Sequence, residues 1–394
     1  MPFRPVDELR EFARGVTGGT WKRALFRAAI LAVVIAGGAL LVAWSGLVSV
    51  AASSGHTQLT YLFLDFAKRN AVELQSGGVA VSPSGDPALV LKGAGHYATG
   101  CAPCHGAPGH RRSVVSRQMT PTPPLYSERF SRWNAEEMFW IVKHGIKYTG
   151  MPAWPALQRD DEIRAMVSFL EKLPDMSPEE YDRLAYGPAF GFTEEEIPAI
   201  ELSALADELS PAIADCARCH GFDGRGRGEG AFPKLAGQSE AYLLASLQAF
   251  ANGTRHSGIM QPAAANLDDR TLRALAAWYA GLPADGNSRT SPDNAAIARG
   301  SLIAAAGIPE RGVPACSQCH GPGGERNPMY PDLAGQYADY LVLQLELFKA
   351  GTRGGTPYAH IMNTVTRRMA EEDVRAVALY YASLPAAGNG DAEK

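Results

Sequence analysis

CARCHGFDGRGRGEGAFPKLAGQ, residues 216–238, holds two cysteines three positions apart, a histidine directly after them, and a glycine-rich loop that ends in Pro-Lys-Leu. Three explanations compete for it: a chance pairing, a zinc knuckle, or a site of covalent haem attachment. The rest of the chain discriminates between them.

The six cysteines fall as CAPCH (101–105), CARCH (216–220) and CSQCH (316–320), with none left over. A disulfide framework scatters its cysteines, and a structural zinc site gathers four ligands in one place. Here each pair has one histidine and lies about 100 residues from the next. Cys-x-x-Cys-His is the attachment signature of c-type haem. The thiols add across the two porphyrin vinyl groups and the histidine lies beneath the iron. Three covalently attached haem c groups are therefore expected. Their thioethers would come from Cys101 and Cys104, Cys216 and Cys219, and Cys316 and Cys319, and their proximal ligands would be His105, His220 and His320.

The motifs belong to an internal repeat. Each is followed by a methionine and then by a helix ending in Leu-Pro: Met151 and Pro174, Met260 and Pro283, Met362 and Pro385. The separation is 23 residues in all three copies, and Phe169, Trp278 and Tyr380 share one register between them. The helices read DDEIRAMVSFLEKL, DDRTLRALAAWYAGL and EEDVRAVALYYASL, with acidic residues where a helix N-terminus favours them. From histidine to methionine the gaps are 46, 40 and 42 residues, room for one helix and a loop. Met151, Met260 and Met362 are the expected sixth ligands. Met119, Met138 and Met166 compete at the first site. Met369 aligns with Leu267 and reads as core. His144, His256 and His360 offer bis-histidine alternatives, but share no common offset. Pro124, Pro233 and Pro331 lie between histidine and methionine, where a carbonyl can accept the histidine Nδ1 hydrogen and fix the tautomer.

With 394 residues the chain has room for two or three domains, and a net charge of −4 argues against nucleic acid as a partner. No charged residue occurs from 28 to 55, a run longer than the roughly 20 apolar residues that span a bilayer. Arg4, Arg10, Arg14, Lys22, Arg23 and Arg27 precede it, which places the N-terminus in the cytoplasm and the remainder outside. A cleaved signal peptide is the alternative, although its apolar region is only about 7–15 residues. Leu59, Leu62, Phe63 and Phe66 then recur at helical spacing, as in an interfacial helix, with His56 at its edge. His110, Arg111, Arg112 and Arg117 form a basic cluster beside the first motif, either a solvated loop or a steering patch for an acidic partner.

Over residues 87–388 the chain resembles class I c-type cytochromes. CHG, LAGQ and the Gly-Thr-Arg turn make units two and three similar to the halves of cytochrome c4-type dihaem proteins. KHGIKYTGMPAW makes unit one similar to the first domain of the trihaem subunits of membrane-bound alcohol and gluconate dehydrogenases, although those subunits do not typically begin with a retained anchor and an interfacial helix. The resemblance implies small helical domains with one haem each, passing electrons from a dehydrogenase towards quinone or an oxidase. The expected fold is all-α: three tandem class I cytochrome c domains behind an N-terminal transmembrane helix. The expected limits are a cytoplasmic segment 1–27, an anchor 28–52, an interfacial helix and linker 53–86, domain one 87–175, an acidic linker 176–210, domain two 211–284, domain three 285–388 and a tail 389–394. The expected role is a membrane-anchored carrier of single electrons, with its haem domains in the periplasm on the bacterial inner membrane and redox proteins as partners. An electron-conducting subunit of a larger complex, and an enzyme with one open iron, are the alternatives.

Overall fold

Every named element is helical in the computed structural model, which describes residues 5–79, 85–129, 132–187, 206–228, 230–284, 293–321 and 327–386. The chain divides at Thr57 into two units. The first holds α1 (Pro5–Ser45) and a short 3-10 turn. Within α1, Trp21–Ser45 has the length and composition to cross a membrane, with a mean hydropathy of 2.4. The helix stops seven residues short of the expected position 52: the Ser45 hydroxyl donates to the Val42 carbonyl (2.7 Å) and Gly46 turns the backbone to φ 69°. The lost turns are regained at the other end, because Lys22, Arg23 and Arg27 continue the same helix.

The second unit begins with α2 (Gln58–Ser76). Its C-terminal half buries Val72 and Ser76, while Leu59, Leu62, Phe63 and Phe66 stay exposed. The helix packs against α7 and so belongs in part to the first helical domain, a contact absent from the expected division. That domain contains α3 (Pro87–Gly100), α4 (Ala102–His105), the single turns α5 (Val114–Arg117) and α6 (Tyr126–Arg129), α7 (Ala135–His144), α8 (Asp160–Lys172) and α9 (Pro178–Ala185). Asp86 caps α3, and Asn134 and Glu137 form a reciprocal capping box on α7. Helices α3 and α8 cross at Gly93, where a Cβ would lie 2.5 Å from the Ala165 carbonyl oxygen and from Phe169 Cβ. The core around Tyr97, Phe169 and Leu173 also takes in Met176, Tyr181 and Ala185. The stretch 176–186, expected as acidic linker, is therefore part of domain one: Tyr181 and Ala185 fall on one face of α9 and are buried against α3. Residues 188–205 of that linker, residues 80–84 of the expected linker before domain one, and residues 285–292 at the start of domain three lie outside the described residues.

Domain two contains α10 (Ala206–His220), α11 (Glu240–Ala251), α12 (Met260–Ala264) and α13 (Asp269–Ala280). Domain three contains α14 (Asn294–Ala306), α15 (Ser317–His320), α16 (Ala338–Lys349), α17 (Ala359–Thr366) and α18 (Glu371–Ser383). Each has its own buried core. In domain three, α14 crosses α18 at Gly300, where a Cβ would be 2.1 Å from the Ala376 carbonyl oxygen.

Two joints hold the domains together. Between two and three, the glutamines of the LAGQ loops exchange bonds reciprocally. Gln238 donates to the Asp332 carbonyl (2.7 Å) and accepts from the Asp332 amide (3.1 Å). Gln336 donates to the Lys234 carbonyl (2.9 Å) and accepts from the Lys234 amide (3.0 Å). Between one and two, Arg218 of the CARCH motif is buried. It donates to the carbonyls of Gly95 and Ala185 and lies over the Tyr186 ring at 4.9 Å. Leu91 packs there against Ala231 and Phe232, with Cys219 alongside.

Candidate haem sites

Each Cys-x-x-Cys-His pentad is one helical turn. The amides of Cys104 and His105 bond to the Cys101 carbonyl (3.0 and 2.9 Å), and those of Cys319 and His320 to the Cys316 carbonyl (3.2 and 2.9 Å); the middle pentad closes α10. Positions i, i+3 and i+4 of a helix share a face, so both thiols and the imidazole point to one side. All six cysteines are half-buried and form no disulfide. Burial pushes the Cys101 and Cys216 thiols up to about 12, and those of Cys219 and Cys316 up to about 11. Among the described residues no group of three or more His, Cys, Asp or Glu side chains is placed to hold a metal ion.

The three histidines of the motifs are oriented alike. Nδ1 of His105 meets the Pro124 carbonyl at 2.8 Å, Nδ1 of His220 meets that of Pro233 at 3.2 Å, and Nδ1 of His320 meets that of Pro331 at 3.0 Å. Donation from Nδ1 leaves the Nε2 lone pair for an iron. Burial lowers the pKa of His105 and His220, which keeps both imidazoles neutral and able to ligate. After the first two histidines, Gly106 and Gly221 take φ near +70°, at 71° and 75°, and turn the chain out of the helix.

Met151, Met260 and Met362 are half-buried, while His144, His256 and His360 are exposed. Met138, Met166 and Met369 are core residues. Met119 lies against Gly150, where a Cβ would meet its methyl carbon, so it backs the Met151 loop. The backbone of Met151 is held by its own loop, its amide donating to Thr149 Oγ1 at 3.1 Å. His56 is exposed. The basic cluster is partly spent inside domain one: His110 Nε2 reaches Asp182 at 2.6 Å and Arg112 donates to the Pro123 carbonyl, leaving Arg111 and Arg117 exposed.

The surroundings fit a flat, mostly apolar cofactor with an anionic edge. The Tyr279 and Tyr381 hydroxyls, at the same register of successive repeats, are buried without a hydrogen-bond partner, as is the Trp278 indole N–H. The Tyr279 ring is centred 6.4 Å from that of His220. Arg255 and Arg353, the arginines of the two Gly-Thr-Arg turns, are buried and cover Phe250 and Phe348 at 4.5 and 4.3 Å. Arg255 donates to Ser246 Oγ and Arg353 to the Tyr242 hydroxyl, and no carboxylate pairs with either among the described residues. Buried charge is costly without a counter-ion, and haem propionates would supply one. In the sequence only the recurrence of Gly-Thr-Arg marks the two arginines, and the spacing of the cysteine motifs carries no signal for the tyrosines.

Several known proteins are similar to this chain. The model of the family "Cytochrome C oxidase, cbb3-type, subunit III" matches residues 88–170, and that of "Cytochrome c" matches 208–282 and 297–385. The thiosulfate dehydrogenase electron acceptor of Thiomonas intermedia (strain K12) is 39% identical over 179 residues, covering 44% of this chain and 81% of that protein. Cytochrome c4 of Pseudomonas aeruginosa is 34% identical over 183 residues, 46% of this chain and 88% of that one. Reduced recombinant cytochrome c4 from Pseudomonas stutzeri has a solved structure that is 32% identical, covers 45% of this chain and 98% of that one, and has a TM-score of 0.41. The chain belongs to the class I c-type cytochromes. Such domains imply covalently bound haem c, and the cysteine pairs 101/104, 216/219 and 316/319 suggest three sites for it.

Proposed function

We propose that this chain is a membrane-anchored trihaem cytochrome that carries single electrons from a respiratory donor to a high-potential acceptor such as a terminal oxidase. The donor would be a membrane dehydrogenase or a quinol-oxidising complex. The observation that carries the proposal is the threefold recurrence of one arrangement: two thiols and an imidazole on one helical turn, with Nδ1 held by a proline carbonyl. Haem supplies one-electron chemistry at its iron, with methionine–histidine ligation favouring the reduced state. The chain's own residues do the rest. Cys101, Cys104, Cys216, Cys219, Cys316 and Cys319 would fix the porphyrins, His105, His220 and His320 with Met151, Met260 and Met362 would hold the irons, and Arg255 and Arg353 would neutralise propionates. With a histidine and a methionine held to each iron, no coordination position would be left for a substrate, so the proposed role is electron transfer and not catalysis. Trp21–Ser45 is the proposed inner-membrane anchor, with a cytoplasmic N-terminus and periplasmic haem domains. The exposed Leu59, Leu62, Phe63 and Phe66 support contact with lipid.

The same apolar face supports a second reading, an electron-conducting subunit packed within a larger dehydrogenase or oxidase complex; a relative's role as electron acceptor of thiosulfate dehydrogenase belongs to the same class of partnership. The test is a pyridine haemochrome count and a reduced-minus-oxidised spectrum on detergent-extracted protein. Three low-spin haems with methionine signals are expected. Carbon monoxide binding to one native haem would sink the carrier reading in favour of an open iron. A stoichiometric second protein after mild extraction would select the subunit reading.

A further inference from the structure

The loop that delivers Met260 is held by a residue of another domain. Glu162, in the first turn of α8, is buried at 3% exposure. Its Oε1 accepts from Ser257 Oγ at 2.6 Å and pairs with Arg159 Nη2 at 3.0 Å. Its Oε2 accepts from the Gly258 amide at 2.6 Å and from Trp154 Nε1 at 3.1 Å. Ser257 Oγ in turn accepts from the amides of Ile259 (3.2 Å) and Met260 (3.0 Å). Two hydrogen bonds therefore link a carboxylate of domain one to the backbone of Met260. Arg159 strengthens the grip by donating to the His256 carbonyl at 2.8 Å. Shape adds to it: the Trp154 indole occupies the place a side chain at residue 258 would take, 2.0 Å from a Cβ built there. The Ile259 side chain packs onto the core of domain one.

The other two methionines are held within their own domains. The Met151 amide donates to Thr149, and Met362 lies inside α17, where Thr366 Oγ1 donates to its carbonyl at 2.8 Å.

We infer that Glu162 is a positioning residue for the sixth ligand of the second haem, so that docking of domain one fixes the iron environment of domain two. The carboxylate suits this role because it accepts at both oxygens, and all four groups facing it are donors. An amide in its place turns N–H groups towards those donors. The inference rests on Met260 being the sixth ligand, as proposed above.

The experiment uses the full holoprotein with three haems per chain verified, and compares Glu162→Gln, Ser257→Ala and Met260→Ala. The readouts are the long-wavelength methionine-to-iron charge-transfer band and a potentiometric titration of the three haems. Met260→Ala is expected to remove one third of the band; if the band stays whole, the ligand assignment fails and the positioning role falls with it. Given that loss, Glu162→Gln and Ser257→Ala are expected to weaken the same third and to lower one potential of the three, since methionine ligation raises it. Unchanged band and potentials in Ser257→Ala overturn the inference. So does a shifted potential with an intact band, which would mean a field effect without movement of the ligand. Ser257→Ala leaves the ion pair in place, so it decides the matter even where Glu162→Gln fails to fold.

Discussion

Asp373 shows how one side chain fixes the edge of a domain. Its carboxylate has no exposed surface and meets Arg299 at 2.5 Å, Arg311 at 2.6 Å and the Ala370 amide at 3.1 Å. Burial works against the charge, but these bonds outweigh it and hold the carboxyl below its ordinary 3.8. A depressed folded-state pKa stabilises the fold in full above that ordinary value and stops doing so as the pH falls through the lower, folded-state one. Domain three is thus expected to lose stability on acidification below about pH 4. Asp373→Asn is expected to cost about 1–2 kcal/mol at neutral pH, because the arginines are partly exposed and screened; thermal unfolding against pH should show a reduced acid dependence. A second expectation concerns Gly93. Alanine there meets the Ala165 carbonyl with nowhere to go, and overpacking of this kind costs about 1–3 kcal/mol. Unfolding followed at the first haem should fall in midpoint while the third haem's site is unaffected.

At the scale of elements, α2 divides its length between two environments. Val72 is 1% exposed against domain one, whereas Phe63 is 66% exposed two and a half turns earlier. Val72→Asp places a charge in that contact and is expected to free α2, read as faster proteolysis between residues 58 and 76 with the haem spectra unchanged. Phe63→Ser with Phe66→Ser is expected to leave the fold alone and to weaken binding to lipid vesicles. Much of this layer was legible in the sequence. Cysteine spacing, methionine register and the Leu-Pro ends marked three helical units, because each reports a local constraint repeated three times. What stayed hidden depends on partners distant in sequence. The acidic start of α8 reads as favourable charge at a helix N-terminus, yet Glu162 of that run reaches Ser257. The stretch 178–185 reads as acidic linker by composition, and only the helical face of Tyr181 and Ala185 turns it into core. A run of uncharged residues likewise marks an apolar helix without marking where it stops, which Gly46 decides.

Across the whole molecule, the joint between domains two and three is built on four reciprocal bonds from two glutamines. Each such bond contributes about 0.5–1.5 kcal/mol net. Gln238→Leu combined with Gln336→Leu leaves the amides and carbonyls of residues 234 and 332 without these partners. The pair is expected to loosen the joint, seen as an increased radius of gyration in small-angle scattering with all three cores still folded. The joint between domains one and two carries a different consequence, one of timing. Cys219 lies among Leu91, Leu184 and Phe232, and a Cβ on Gly95 would sit 3.1 Å from its sulfur. With domain one closed over it, one side of this half-buried thiol is covered. Haem attachment at Cys219 is therefore expected to run faster while the neighbouring domains are still apart, so that the closing of this joint would follow the completion of the middle domain.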